Sequence, residues 1–203
     1  AAQTPVTGLA QLLRPGGAFF ISNPPPAAAA HLALELAVLG KRTVVAITDG
    51  AKTLDVLWRD LSTLGQAQTA AGKSHISYFP AWESLPGHGA PPPADLIGDR
   101  IATLQMLVRR KDGQPAPIIA TSVQALMQRT LPPELLKHGF DDLREGMEIE
   151  PDHFTQELLA AGYDAQIEVQ RKGQFALRGG ILDLWPVTAP VPVRIELFGT
   201  TID

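Results

Sequence analysis

Apolar and polar positions along the chain follow two rhythms. Up to residue 122, short unbroken apolar runs alternate with longer stretches whose apolar residues recur at helical spacing. The runs are FFIS (19–22), RTVVAIT (42–48), HISYFP (75–80) and APIIATS (116–122). Strands without polar alternation suit a sheet covered on both faces, and the helices between them suit the crossovers of a parallel, doubly wound α/β fold. Helices are predicted over 24 to about 39, closed by Gly40, over 51–65 with Leu54, Leu57, Trp58 and Leu61 on one face, and over 94–110. The Pro/Gly-rich stretch at 82–93 reads as a loop.

After LPPELL (131–136) the rhythm changes. DHFTQELLAAGY (152–163) predicts one short helix with Asp152 as its N-cap. GQFALRGGILDLWPV (173–187) and VPVRIELFG (191–199) predict adjacent strands broken at Gly179–Gly180, with Val191, Val193, Ile195 and Leu197 alternating with more polar types. The expectation is a helicase-like α/β domain over 1–131 followed by a small α+β domain over 132–203.

Charge sharpens that division. Residues 1–134 carry eleven Lys/Arg against nine Asp/Glu, and residues 135–203 carry six against twelve. So acidic a segment is ill suited to gripping a phosphate backbone, and a protein is the better partner for it. With 45 % apolar and 19 % charged residues the composition is that of a globular protein, and no apolar stretch is long enough to cross a membrane. The absence of cysteine excludes disulfides and thiolate metal sites, and fits a cytoplasmic setting.

The strand-to-helix turn at 23–30, NPPPAAAA, lies where many α/β proteins cradle a nucleotide. A working phosphate loop needs glycines, a lysine and a hydroxyl, and this turn has none. Pro24, Pro25 and Pro26 delete three backbone donors from the place where donors matter. Asn23 as N-cap and Pro24 at the first helical position make a structural turn instead. The five histidines are scattered, with no metal-ligand spacing. Asp95 and Asp99 share a helix face, where capping and surface pairing, with Arg100 nearby, are the expected roles. Arg109, Arg110 and Lys111 complement a helix C-terminus.

Several segments together resemble the amino-terminal, UvrB-like region of the bacterial transcription-repair coupling factors (Mfd). They are YFPAWESLP (78–86) leading into ADLIGDRIATLQML (94–107), then PIIATSVQALMQRTLPPELL (117–136). The most specific are LREGMEIEPDHFTQELLAAGYD (143–164) and GQFALRGGILDLWPVTAPVPVRIELFGTTID (173–203), which hold the shared RGGILDLxP and RIELFGxxID elements. The resemblance implies a non-catalytic module cut from a much larger protein, with no cofactor or metal of its own. ATP and magnesium belong to a later translocase module, which in the whole protein would act on double-stranded DNA and RNA polymerase. UvrB keeps a phosphate loop at this position, and also an aromatic hairpin for which this chain has no room. The alternative, a UvrB-type helicase lobe binding ATP and damaged DNA directly, is therefore disfavoured.

By the same resemblance, residues 132–203 correspond to the domain that contacts the repair ATPase UvrA. Family arginines on and just before the GQFALRGG strand face that partner. Arg178 keeps its place here, whereas Ala165 and Ala176 stand where UvrB has arginine, and Arg171 is the candidate to compensate. Interface energy concentrates in arginine and aromatic anchors, so the candidate contacts are Arg178, Arg171, Phe175 and Trp185. For Phe175 and Trp185 a core role is the competing reading. Arg194 and Glu196 are expected to form a cross-strand or solvated pair.

Overall fold

The computed structural model describes residues 13, 16–22, 24–25, 27–66, 74–82, 92–138 and 143–203, the side chains of 137 and 138 excepted. Three parallel strands make the first sheet: β1 (Val44–Thr48), β2 (Ile76–Phe79) and β3 (Ile118–Ser122), in the order β1-β3-β2. β3 is buried along its whole length, as a central strand between two helical layers must be. Helices α1 (Ala28–Gly40) and α2 (Ala51–Gln66) cover one face, where Leu34, Leu54, Leu57 and Leu61 pack on Ile118 and Ala120. On the other face α3 (Ala94–Arg109) brings Leu104 to Phe79 and Ile119. The short α4 (Val123–Leu126) follows β3 directly, its Ala125 N–H capped by the Ser122 hydroxyl. α5 (Pro133–His138) packs against α3.

A mixed sheet of five strands forms the second unit. It runs in chain order from β4 (Asp164–Ala165) through β5 (Gln174–Arg178), β6 (Ile181–Leu184) and β7 (Val193–Phe198) to β8 (Thr201–Ile202). Only β4 and β5 run parallel. Helix α6 (Pro151–Ala160) closes one face with Leu158, over Phe175, Leu182, Leu184 and Ile195. The Gly179–Gly180 break is the β5–β6 turn. Gly179 takes φ +59°, and a Cβ on Gly180 would lie 2.6 Å from the Leu197 carbonyl oxygen.

Four local expectations are corrected. Residues 19–22 form no strand, and Phe20 is 93 % exposed. An apolar run becomes a strand only where a neighbour takes up its backbone hydrogen bonds, and β1 is the edge of this sheet. The first helix begins at Ala28 and runs through Gly40, so the left-handed position falls on Lys41, at φ 50°. Asn23 and Pro26 lie outside the described residues. Asp152 sits inside the first turn of α6, whose N-cap position is Glu150 with Pro151 as the first helical residue. Arg100, expected to pair on the surface with Asp95 or Asp99, is 2 % exposed and pairs with neither.

Arg100 pins the layers of the first unit together. Its guanidinium lies 4.2 Å from the Phe79 ring centre and 4.5 Å from that of Trp82. Nη1 donates to the Pro80 carbonyl at 2.6 Å and to Gln128 Oε1 at 3.4 Å, and Nη2 to the Arg129 carbonyl at 3.4 Å. Burial pulls its pKa below the ordinary arginine value. A flat cation can sit between two rings and still reach three acceptors, which an ammonium cannot. Arg100→Lys is therefore expected to lower stability by about 2 kcal/mol, the scale of a desolvated cation–π contact. Urea unfolding with an unchanged midpoint would contradict this account.

Candidate functional site

Strands β5, β6 and β7 turn one face to the α6 core and the other outward. Alternation and register set what the outer face carries. Ala176 lies opposite Asp183, Asp183 opposite Arg194, Arg178 opposite Ile181, and Ile181 opposite Glu196. Asp183 is the centre of this arrangement. Its Oδ2 accepts from Arg178 Nη2 at 2.9 Å and from Arg194 Nη2 at 2.9 Å, while Oδ1 accepts from Arg194 Nε at 2.6 Å. The Asp183 side chain is 15 % exposed, between two arginines that are each more than half exposed. The hydrogen bond from Arg194, aided by that from Arg178, holds the Asp183 carboxyl below the usual aspartate range, against a smaller opposing effect of burial. Arg194 is in turn pushed further up by Asp183.

One carboxylate shared by two guanidinium groups, with Glu196 on the same face attracting Arg194 more weakly, sets positive and negative groups side by side on the face of an acidic unit. A groove of about 410 Å³ opens there, lined by Glu168, Val169, Arg178, Asp183, Pro192 and Arg194. Its far wall is the 166–171 loop, which folds over the start of β5. Gln174, buried on the outer face, accepts the N–H groups of Gln170 and Arg171 through its side-chain carbonyl at 3.0 and 3.1 Å. The Arg171 guanidinium extends into solvent and meets Asp164 at 3.3 Å.

The four candidate contacts thus separate. Arg178 and Arg171 are exposed, whereas Phe175 is 3 % exposed within the core under the sheet. Trp185 is half-buried, with its indole N–H donating to the Ala189 carbonyl at 3.3 Å. The cross-strand partner of Arg194 is Asp183, and Glu196, on the same face of β7, adds a weaker attraction. Sequence reading missed Asp183 altogether. Its signal was a lone polar residue between Leu182 and Leu184, but its partners become visible only with the register.

At the turn resembling a phosphate loop, Pro24 and Pro25 offer no N–H, and the Ala28 N–H is taken by the Pro25 carbonyl at 2.9 Å. α1 begins without a side-chain cap. Asp95 and Asp99 face the second unit, where Lys172 Nζ meets Asp95 Oδ1 at 2.9 Å. Burial raises the Asp99 carboxyl above the usual range. Among the described residues no three His, Asp or Glu side chains gather as a metal site, and no helix is long and apolar enough to cross a membrane.

Residues 142–203 match the family model described as the UvrB interaction domain. The chain is 31 % identical over 183 residues to the transcription-repair-coupling factor of Haemophilus influenzae, covering 90 % of this chain and 15 % of that protein. Against the factor of Bacillus subtilis identity is 38 % over 104 residues, or 51 % of this chain and 9 % of that protein. Against that of Escherichia coli it is 32 % over 122 residues, or 60 % and 10 %. The chain thus spans about a seventh or less of the length of these curated relatives.

The Asp183 cluster has a definite titration signature. Its depressed folded-state pKa means that the two ion pairs are in place above the ordinary aspartate range and are lost as pH falls through the lower folded value. NMR titration of the Asp183 carboxyl should give a midpoint below that of a free aspartate, moving back up in Arg194→Ala. A midpoint indifferent to that substitution would mean that the arginines are not its cause.

Proposed function

We propose that this chain, which is homologous to the N-terminal region of transcription-repair-coupling factor and carries its UvrB interaction domain, recruits the excision-repair protein UvrA. The single observation behind this reading is a coincidence of place. The segment matched to the UvrB interaction domain is the five-stranded unit whose outer face carries the exposed Arg178–Asp183–Arg194 cluster. Arg178 is the central contact, and Arg171 supplies a second positive group beside the groove. Phe175 and Trp185 act from below, holding β5 and the 186–189 turn in shape. The proposed division is an α/β domain over 1–131, acting as scaffold, and a UvrA-interaction domain over 132–203.

The whole protein would be an ATP-dependent DNA translocase of the cytoplasm. Its magnesium–ATP chemistry, its grip on double-stranded DNA and its action on stalled RNA polymerase lie outside this chain. This module contributes no catalytic residue, and in the resting protein it packs against the rest so that the UvrA-binding face is masked. The proline turn at 24–25 supports the non-catalytic reading, because a backbone without N–H groups cannot cradle a phosphate.

Calorimetric titration of the chain with UvrA tests the proposal. Micromolar or tighter binding is expected, with Arg178→Glu weakening it by about 100-fold, the scale of an interface hot spot. Binding that ignores the reversal would move the patch elsewhere, and absence of binding would defeat the reading. In parallel, saturating magnesium–ATP should leave the melting temperature unchanged. A true ligand at 100 times its Kd would add about 2.7 kcal/mol, and such a rise would favour the helicase-lobe alternative.

A further inference from the structure

The N-terminal half of α3 touches the second unit so closely that one of its positions admits no side chain. A Cβ built on Gly98 would lie 1.9 Å from the Val187 carbonyl oxygen and 2.7 Å from its carbon. One turn earlier, Asp95 meets Lys172 at 2.9 Å, and the Lys172 side chain is only 21 % exposed. Gly173 follows in the left-handed region, at φ +81°, where a Cβ would lie 3.8 Å from Ala94 Cβ and 3.7 Å from Val187 Cγ1. Helix, turn and loop therefore meet along Ala94, Asp95 and Gly98.

What α3 touches is continuous with the binding face. The Gly173 N–H donates to the Trp185 carbonyl at 2.8 Å, and the Trp185 N–H to the Gln174 carbonyl at 2.9 Å. Gln174 holds the backbone of Gln170 and Arg171 through its side chain, and the Val187 N–H is held by the Tyr163 hydroxyl at 3.3 Å. A displacement at Lys172–Gly173 cannot be absorbed without moving the loop that carries Arg171 and the Glu168–Val169 wall of the groove.

We propose that Asp95 and Gly98 are positioning residues, through which helix α3 of the first unit fixes the conformation of the 168–173 loop in the second. The first unit is then part of the interaction site, holding it from behind. The inference rests on the UvrA reading only for what the loop is used for.

Hydrogen exchange of the whole chain, followed by titration with UvrA, tests it. In Gly98→Leu, the hydrogen-bonded amides of Gln170, Arg171, Gly173, Val187 and Ala189 should exchange at least about tenfold faster, while α1, α2 and the β5–β7 core keep their protection. UvrA affinity should fall by about tenfold, a 1.4 kcal/mol effect. Asp95→Lys provides a milder variant should Gly98→Leu fail to fold. It should loosen the same loop, and Asp95→Lys combined with Lys172→Asp should restore protection and affinity, a rescue that general destabilisation would not give. Unchanged exchange in the variants that fold overturns the proposal, and so does faster exchange with undiminished affinity or a charge swap that rescues nothing. If wild-type protein does not bind UvrA, the recruitment reading fails, and exchange with its rescue alone decides whether α3 holds the loop.

Discussion

Helix α3 is gripped on two sides, and both grips are set by single residues. Arg100 lies inside the first unit, over the Phe79 and Trp82 rings, and donates to the Pro80 and Arg129 carbonyls and Gln128. Gly98 lies against the Val187 carbonyl of the second. Two residues along a helix are about 200° apart around its axis, so the positions look in nearly opposite directions. A buried guanidinium that meets no carboxylate among the described residues is tolerable because ring faces and carbonyl oxygens replace its water. A helix backbone can press on a carbonyl only where no Cβ intervenes. These constraints tie the three-stranded sheet, the crossover helix and the five-stranded sheet together.

The electrostatics of the second unit follow from register. The unit is acidic as a whole, yet its open face concentrates Arg178 and Arg194 on one carboxylate. Asp183 orients both guanidinium groups, and charge-assisted hydrogen bonds give that orientation direction. An exposed network of this kind adds little to folding free energy, because solvent screens it. What it provides is a preorganised, directional surface, in which less side-chain freedom remains to be lost on contact with a partner.

The proline turn of the first unit has a sequence position without the structure or the chemistry of a phosphate loop. Residues 19–22 pair with no strand of the sheet, Pro24 and Pro25 present no donors, and the Ala28 N–H closes a turn on the Pro25 carbonyl. The alanines that follow bury Ala30, Ala33 and Ala37 against the sheet, which is a packing role.

Much of the architecture was legible in local pattern. Unalternating runs identified β1, β2 and β3 as parallel strands, Leu54, Leu57 and Leu61 identified the buried face of α2, and the change of rhythm after 136 marked a second unit. Periodicity reports which faces are apolar, and apolar faces decide layers. It does not report who the neighbour is. Residues 19–22 have a strand's composition and no strand partner, Arg100 has a surface residue's charge and a core residue's environment, and Phe175 was legible as either contact or core. Asp183 could be tied to Arg178 and Arg194 only once the antiparallel register was known, and Gly98 to Val187 only once the two units met. Sequence by itself determined most of the elements, the want of phosphate-loop residues at 23–30 and the charge of each unit, because these depend on residue type and near-neighbour spacing. Only the tertiary structure decided which arginines share a carboxylate and where a helix must be bare, because those contacts join residues far apart in the chain.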